Sequence, residues 1–268
     1  MIDTHAHLDF KNFDDDRENV IKRFFDDGGK TIINIGVNWE GNNGSLEIAE
    51  KNENIFVSLG FHPEEEGLDL RKVENYLKEK AQNSKVKAIG EIGLDYFHTP
   101  KQTIQGVTVN KNRIEFQKKL FIKQLEVAKA LDLPVVIHCR DAYADVLEII
   151  SKKKFQEMKM VMHCFCGGIK ETEDFLKLPN LKFSFTGNLT FLKEDDELLK
   201  VVEKIPLKKI MVETDCPFLT PTPNRGKRNE PSYVKYVIEK IAEIKGLKSK
   251  RIENQTDKNA IEFFDIKV

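Results

Sequence analysis

The sequence predicts a (β/α)8 TIM barrel, an α/β fold, and three observations predict it. Eight short runs rich in Val, Ile and Phe recur along the 268 residues and alternate with helix-length amphipathic segments. Such runs fit parallel strands buried on both faces of a sheet, and eight strand–helix units in about 250 residues is the size of such a barrel. No Pro/Gly/Ser-rich stretch interrupts the series, so residues 1–268 read as one domain.

Taken in order, the first run opens the chain as Ile2-Asp-Thr-His-Ala-His-Leu-Asp9. A helix is expected over 14–27, with Val20, Ile21, Phe24 and Phe25 on one face and Gly28-Gly29 stopping it. The second run covers 31–36 and is followed by a helix over 41–51. The third covers 55–59, ends in Gly60-Phe-His-Pro63, and leads to a helix from about 68 to 82. The fourth, 86–94, delivers Glu91. Residues 96–111 are polar and turn-rich, which predicts a loop over a site rather than a linker. A long helix over 113–131 aligns Ile114, Phe121, Leu125 and Ala128. The fifth run is 134–138, and Asp141 is expected to cap the helix after it. Runs over 160–163, 181–185 and 210–215 repeat the scheme, and helices over 233–245 and 250–264 close the chain.

Composition narrows the classes. Hydrophobic content of 40% with 32% charged residues describes a globular chain rather than a disordered one. The formal net charge of −1 excludes a globally basic nucleic-acid coat but not a local basic patch. Cys139, Cys164, Cys166 and Cys216 show no disulfide-framework spacing and lie beside candidate ligands, so a reducing compartment is expected; Cys164 and Cys166 resemble a Cys-x-Cys metal pair but lack a second pair, and are expected to be buried thiols. No apolar run approaches the roughly 20 residues of a membrane span. The chain starts directly in a working motif, so no leader peptide is expected; the location expected is cytoplasmic, with the nucleus or an organelle as the alternative.

Residues able to do chemistry gather where the runs end. His5 and His7, one residue apart on an extended segment, point to the same side. His62 follows run three, Glu91 lies in run four, and His138, His163 and Asp215 end runs five, six and eight. A barrel brings those ends to one rim, where active sites are built. Several imidazoles and two carboxylates on one rim exceed the needs of one four-coordinate zinc and fit two divalent cations sharing a carboxylate. Mixed N/O ligation leaves the metal open among zinc, manganese, magnesium and iron.

Thr4-His-Ala-His7, Gly60-Phe-His-Pro63, Gly90-Glu-Ile-Gly-Leu-Asp-Tyr96, His138-Cys-Arg-Asp-Ala142, Met162-His-Cys-Phe165 and Glu213-Thr-Asp-Cys-Pro217 together resemble the TatD family of metal-dependent deoxyribonucleases. The likeness runs end to end and includes Arg225-Gly-Lys-Arg-Asn-Glu-Pro231. It implies a barrel of the metallo-dependent hydrolase type and a nuclease using two divalent ions (Mg²⁺, Mn²⁺ or Zn²⁺). It also implies His5, His7, Glu91, His138, His163 and Asp215 as ligands, with Glu91 bridging. The segment 97–111 looks longer than the usual connection after the Glu91 motif.

The expected chemistry is attack by activated hydroxide on a phosphodiester, trimming single-stranded DNA from a 3′ end. Asp215 would orient the water and take its proton, and His62 would contact the scissile phosphate or donate to the leaving oxygen. Arg113, Arg140, Arg225, Lys227 and Arg228 are available for phosphate contacts. The same ligands would also serve an amidohydrolase or ester hydrolase, including an aminoacyl-tRNA deacylase. A non-enzymatic interaction protein fits less well with an intact ligand set, and no obligate protein partner is inferred. Several residues carry plainer readings: His98 as a solvated side chain, Asp141 as a helix cap rather than a base, though one that could also orient His138, Asp95 as similarly ambiguous, and Trp39, Tyr96 and Phe97 as packing or base-stacking groups. The acidic runs at 14–16 and 64–66 read as solvated faces and argue against a broad cationic groove.

Overall fold

A computed structural model describes residues 1–97, 103–104, 107–108 and 111–267. Strands β1 (Ile2–Ala6), β2 (Thr31–Gly36), β3 (Ile55–Leu59) and β4 (Val86–Asp95) precede a short antiparallel hairpin of β5 (Thr103–Ile104) and β6 (Val107–Thr108). Strands β7 (Val135–Arg140), β8 (Met160–Met162), β9 (Leu181–Phe185) and β10 (Ile210–Val212) follow. The eight long-range strands pair in parallel in the order β1-β2-β3-β4-β7-β8-β9-β10. The backbone joins the two ends of the sheet: Asp215 N donates to His5 O and His7 N donates to Cys216 O, each at 2.9 Å. The Asp3 carboxylate reinforces this seam by accepting from Thr214 N at 2.9 Å and Thr214 Oγ1 at 2.6 Å. The sheet is therefore a nearly closed barrel.

Helices α1 (Arg17–Asp26), α2 (Trp39–Lys51), α3 (Leu70–Lys80), α4 (Lys111–Ala130), α5 (Tyr143–Ile150), α6 (Ile169–Leu176) and α7 (Glu197–Lys204) each return the chain from one strand to the next, as parallel pairing requires. The pleat sends alternate residues to opposite faces, and this builds two cores. Ile32, Val57, Ile89, Val135 and Phe183 face the helices, where Phe24, Val73, Leu125 and Val146 meet them. Ile2, Ile33, Ile35, Ala88, Val136, Val161 and Met211 fill the barrel interior. Two further helices close the chain, α8 (Val234–Lys245) and α9 (Ser249–Phe264). From α9, Ala260, Phe263 and Phe264 join the interior cluster and plug the end of the barrel where the strands begin.

The departures from expectation have local causes. Helix α1 starts at Arg17 rather than at 14, because 11–13 form a 3-10 turn that buries Phe13. Helix α2 starts two residues early, where the Asn38 side chain accepts from Gly41 N and caps it. Asp141 does not cap α5: it takes a left-handed φ of 57°, and the capping position falls to Ala142 without a side-chain bond. The expected irregular stretch 96–111 contains the β5–β6 hairpin, and α4 already begins at Lys111. His98 lies outside the described residues. Among the described residues no helix is long and apolar enough to cross a membrane.

Candidate metal centre

The seven residues singled out from the sequence converge at the end of the barrel where the strands finish. His5 lies in β1 and His7 just beyond it, His62 follows β3, Glu91 lies in β4, His138 in β7, His163 follows β8 and Asp215 follows β10. Close strand approach makes the convergence possible. A Cβ at Gly93 would stand 1.9 Å from His138 O, and one at Gly90 would stand 2.7 Å from Val136 O, so β4 can seat against β7 only with glycine at both places. Asp215 itself takes a left-handed φ of 55°, which turns its carboxylate back over the mouth.

Glu91 stands at the centre and its two oxygens serve two groups of donors. Oε2 is 3.3 Å from His5 Nε2 and 3.8 Å from His7 Nε2. Asp215 Oδ1 completes that side, 3.4 Å from His7 Nε2 and 3.7 Å from His5 Nε2. Oε1 faces the other group, 2.6 Å from His138 Nδ1, 3.2 Å from His163 Nε2 and 3.6 Å from His62 Nε2. Donors bound about 2.1 Å from one ion stand about 3.0–3.4 Å apart at octahedral or tetrahedral angles. The observed spacings, 2.6–3.8 Å, bracket that range, so the residues fit divalent cations.

The outward nitrogens have partners that can hold their protons, so that the inward ones could offer lone pairs to a cation once it displaces the inward protons. His7 Nδ1 is 3.1 Å from the Ile35 carbonyl, and His163 Nδ1 is 3.0 Å from Glu213 Oε1. His138 Nε2 is 3.0 Å from Asp95 Oδ2. His5 Nδ1 is buried without a hydrogen-bond partner among the described residues. His62 is oriented the other way: its Nδ1 accepts from Glu64 N at 3.3 Å, which leaves an Nε2–H pointing inward.

Electrostatics follow from burial among imidazoles and carboxylates. Burial would raise the Glu91 carboxyl, but His163, His138 and His5 outweigh it and hold it well below the ordinary range. Burial would lower His163, yet Glu91 and Glu213 outweigh that and hold it well above the usual value. Burial and the neighbouring His138 push His62 down to about 3, so it is neutral throughout the physiological range.

Several supporting residues escaped the sequence reading. Glu213 accepts from both His163 Nδ1 and Cys164 N, the latter at 2.7 Å. Three buried amides clasp the loops that carry the site. Gln124 pairs both backbone groups of Phe61, Gln117 both of Asp95, and Asn42 both of Gly60. A buried Gln or Asn beside apolar helix positions was the only available signal.

Around the mouth lie three exposed aromatics: Phe97 (57% exposed), Phe218 (51%) and Phe191 (38%). Arg140 Cζ sits 3.8 Å over the Phe97 ring and Arg225 Cζ 3.7 Å over Phe191. Lys227 is exposed nearby in sequence. The other expected phosphate contacts are engaged elsewhere. Arg228 forks onto Asp16 at 2.7 and 2.8 Å, and Arg113 pairs with Glu66 at 2.6 Å. The acidic runs are thus partly paired rather than wholly solvated. Trp39 packs on Phe61 and Tyr76, at 4.5 and 4.9 Å between centroids. The Tyr96 hydroxyl donates to Asp145 at 2.6 Å. Cys216 is buried and Cys139 half-buried; Cys164 is half-buried and Cys166 exposed, against the expectation that these two are buried thiols.

Comparison with known proteins agrees with this architecture. The family model for TatD-related DNases matches residues 2–265. An uncharacterized metal-dependent hydrolase of Bacillus subtilis, YabD, is 38% identical over 99% of both chains. A Shigella flexneri protein described as the 3′-5′ ssDNA/RNA exonuclease TatD is 28% identical, again over 99% of both. The crystal structure of YJJV, a TatD homologue of Escherichia coli, superposes with a TM-score of 0.88 at 27% identity, covering 100% of this chain and 98% of that one. The chain belongs to the TatD-related DNase family of metal-dependent hydrolases.

Proposed function

We propose that this protein is a nuclease that uses two divalent cations, Mg²⁺, Mn²⁺ or Zn²⁺, to remove nucleotides from the 3′ end of single-stranded DNA. The observation that carries the reading is the division of the histidines by Glu91, His5 and His7 toward one oxygen and His138 and His163 toward the other, with Asp215 beside His5 and His7. Two cations held there would lower the pKa of a water and offset charge developing on phosphate oxygens. The 3′ polarity and the strand preference rest on the description of the Shigella flexneri relative.

The chain's own residues then take distinct roles. Asp215 stands at the open side of the cluster, where its carboxylate orients the attacking water and accepts its proton. His62 donates its inward Nε2–H to a phosphate oxygen; a pKa near 3 makes it a hydrogen-bond donor rather than a source of protons. Arg140 on Phe97 and Arg225 on Phe191 each offer a cation beside a ring face, a pairing suited to a phosphate and its base. The soluble-protein expectation of a cytoplasmic setting is part of the same proposal, as is a single domain over 1–268.

The test is degradation of end-labelled single- and double-stranded DNA after chelation and return of each metal, with His138→Ala and Asp215→Ala alongside. Metal-restored shortening of single strands from the 3′ end, absent in both variants, is expected. An unchanged rate for His138→Ala would defeat the assignment. Metal uptake with intact DNA would instead favour the amidohydrolase or ester-hydrolase reading, including aminoacyl-tRNA deacylation.

A further inference from the structure

The opposite end of the barrel carries a second concavity with its own chemistry. An open pocket of about 560 Å³ lies where β8, β9 and β10 begin, walled on one side by α9. Among the described residues five lysines line it (Lys159, Lys182, Lys208, Lys209 and Lys258), and the one carboxylate is that of Glu262. Part of this charge is structural. Lys209 spends all three N–H groups on the carbonyls of Leu178, Pro179 and Leu181, at 3.0, 2.8 and 2.9 Å. Lys182 and Lys159 each donate once, to Lys208 O at 3.0 Å and to Glu262 O at 3.2 Å, and keep two donors apiece. Lys208 makes no side-chain bond among the described residues, and Lys258 stands 3.8 Å from Glu262.

The clustering leaves positive charge unbalanced. Burial and the neighbouring ammonium groups lower Lys182 and Lys209, with only Glu262 opposing this at Lys182. Tying carbonyls at strand starts accounts for Lys209, and the exposed i,i+4 pair with Glu262 occupies Lys258, but neither gives Lys208 a role. We propose that this pocket binds a small anion bearing two or more phosphate-type groups, such as an inorganic or nucleotide oligophosphate. A compact ring of ammonium groups around a cavity matches a compact polyanion. A nucleic-acid strand would call for a row of cations interleaved with exposed rings, and the one aromatic on this wall, Phe263, is buried in the barrel plug. The proposal is independent of the chemistry at the metal centre.

The probe is pyrophosphate, titrated calorimetrically into the chelated full-length protein, with orthophosphate and a single-stranded oligonucleotide as parallel ligands. Lys208→Gln with Lys258→Gln removes two exposed ammonium groups, the first without a side-chain bond among the described residues and the second held only by the exposed pair with Glu262 at 3.8 Å, and His138→Ala serves as the control at the far end. Pyrophosphate binding that exceeds orthophosphate binding, weakened about tenfold or more by the lysine pair and unmoved by His138→Ala, is expected. Equal binding in the lysine variant, or loss confined to His138→Ala, would overturn the proposal. So would oligonucleotide binding that alone depends on these lysines. An unchanged melting temperature of the unliganded variant separates lost binding from lost folding.

Discussion

Replacing Gln124 of α4 with leucine should destabilise the protein more than the same change at Gln82, outside α4. The side chain is fully buried, and both of its bonds go to one backbone: Phe61 N–H donates to Oε1 at 2.8 Å, and Nε2 donates to Phe61 O at 3.0 Å. Leucine fills much of the volume but answers neither group. A buried backbone group left without a partner costs about 1–3 kcal/mol, so two cost about 2–6 kcal/mol, and the extra apolar contact of leucine offsets about 1 of that. A net loss of about 3 kcal/mol is a sizeable share of the 5–15 kcal/mol typical of a folded domain. Urea unfolding reads it directly. The midpoint should fall by about 1 M or more with the slope unchanged, since the surface exposed on unfolding stays the same. Gln82→Leu is the control, because its bond to Lys78 O is exposed, and it should stay within about 0.5 kcal/mol of the parent. A Gln124→Leu midpoint matching that control would refute the idea that amide clasps hold the rim. Turnover should fall as well, because His62 follows Phe61.

Three further outcomes are expected. Glu213→Gln keeps an acceptor for Cys164 N but removes the charge beside His163 Nδ1, so Mn²⁺ affinity by calorimetry should drop about 10–100-fold; an unchanged affinity would remove Glu213 from the centre. Arg140→Ala and Arg225→Ala should raise KM for single-stranded DNA with little change in kcat and reduce the salt slope of binding by about 0.7 each; a fall in kcat alone would place these arginines in the chemistry. In the metal-free protein His163 has a raised pKa, so its contribution to stability is full below about pH 6.5 and is lost as pH rises through the folded value. Cation binding must displace that proton, so the gain in melting temperature from added Mn²⁺ should grow from pH 6 to pH 8.5, and a flat profile would contradict it.

The strands were legible because each is a short β-branched run delimited by turn residues, and the ligand positions because His and carboxylates at strand ends have few other uses. What sequence could not carry is anything decided by long-range geometry. Arg228 and Arg113 looked available for substrate, but their partners Asp16 and Glu66 are distant in sequence, and only the fold brings them together. Asp141 has a good capping residue type, yet the chain enters α5 through a left-handed turn that aims its side chain elsewhere. Gln117 and Gln124 sit one heptad apart on α4, and nothing in the sequence shows what they bind until the end of β4 and the loop after β3 are laid against them. The bond between Asp3 and Thr214 that closes the barrel links residues from opposite ends of the chain.

The most direct test is the number of Mn²⁺ ions bound per chain at saturation, measured by equilibrium dialysis with metal analysis, for the parent and for Glu91→Gln. If one carboxylate organises two sets of donors, the parent binds two ions and Glu91→Gln loses at least one of them. A parent that binds a single ion, or a Glu91→Gln variant that still binds two with equal affinity, would contradict the account.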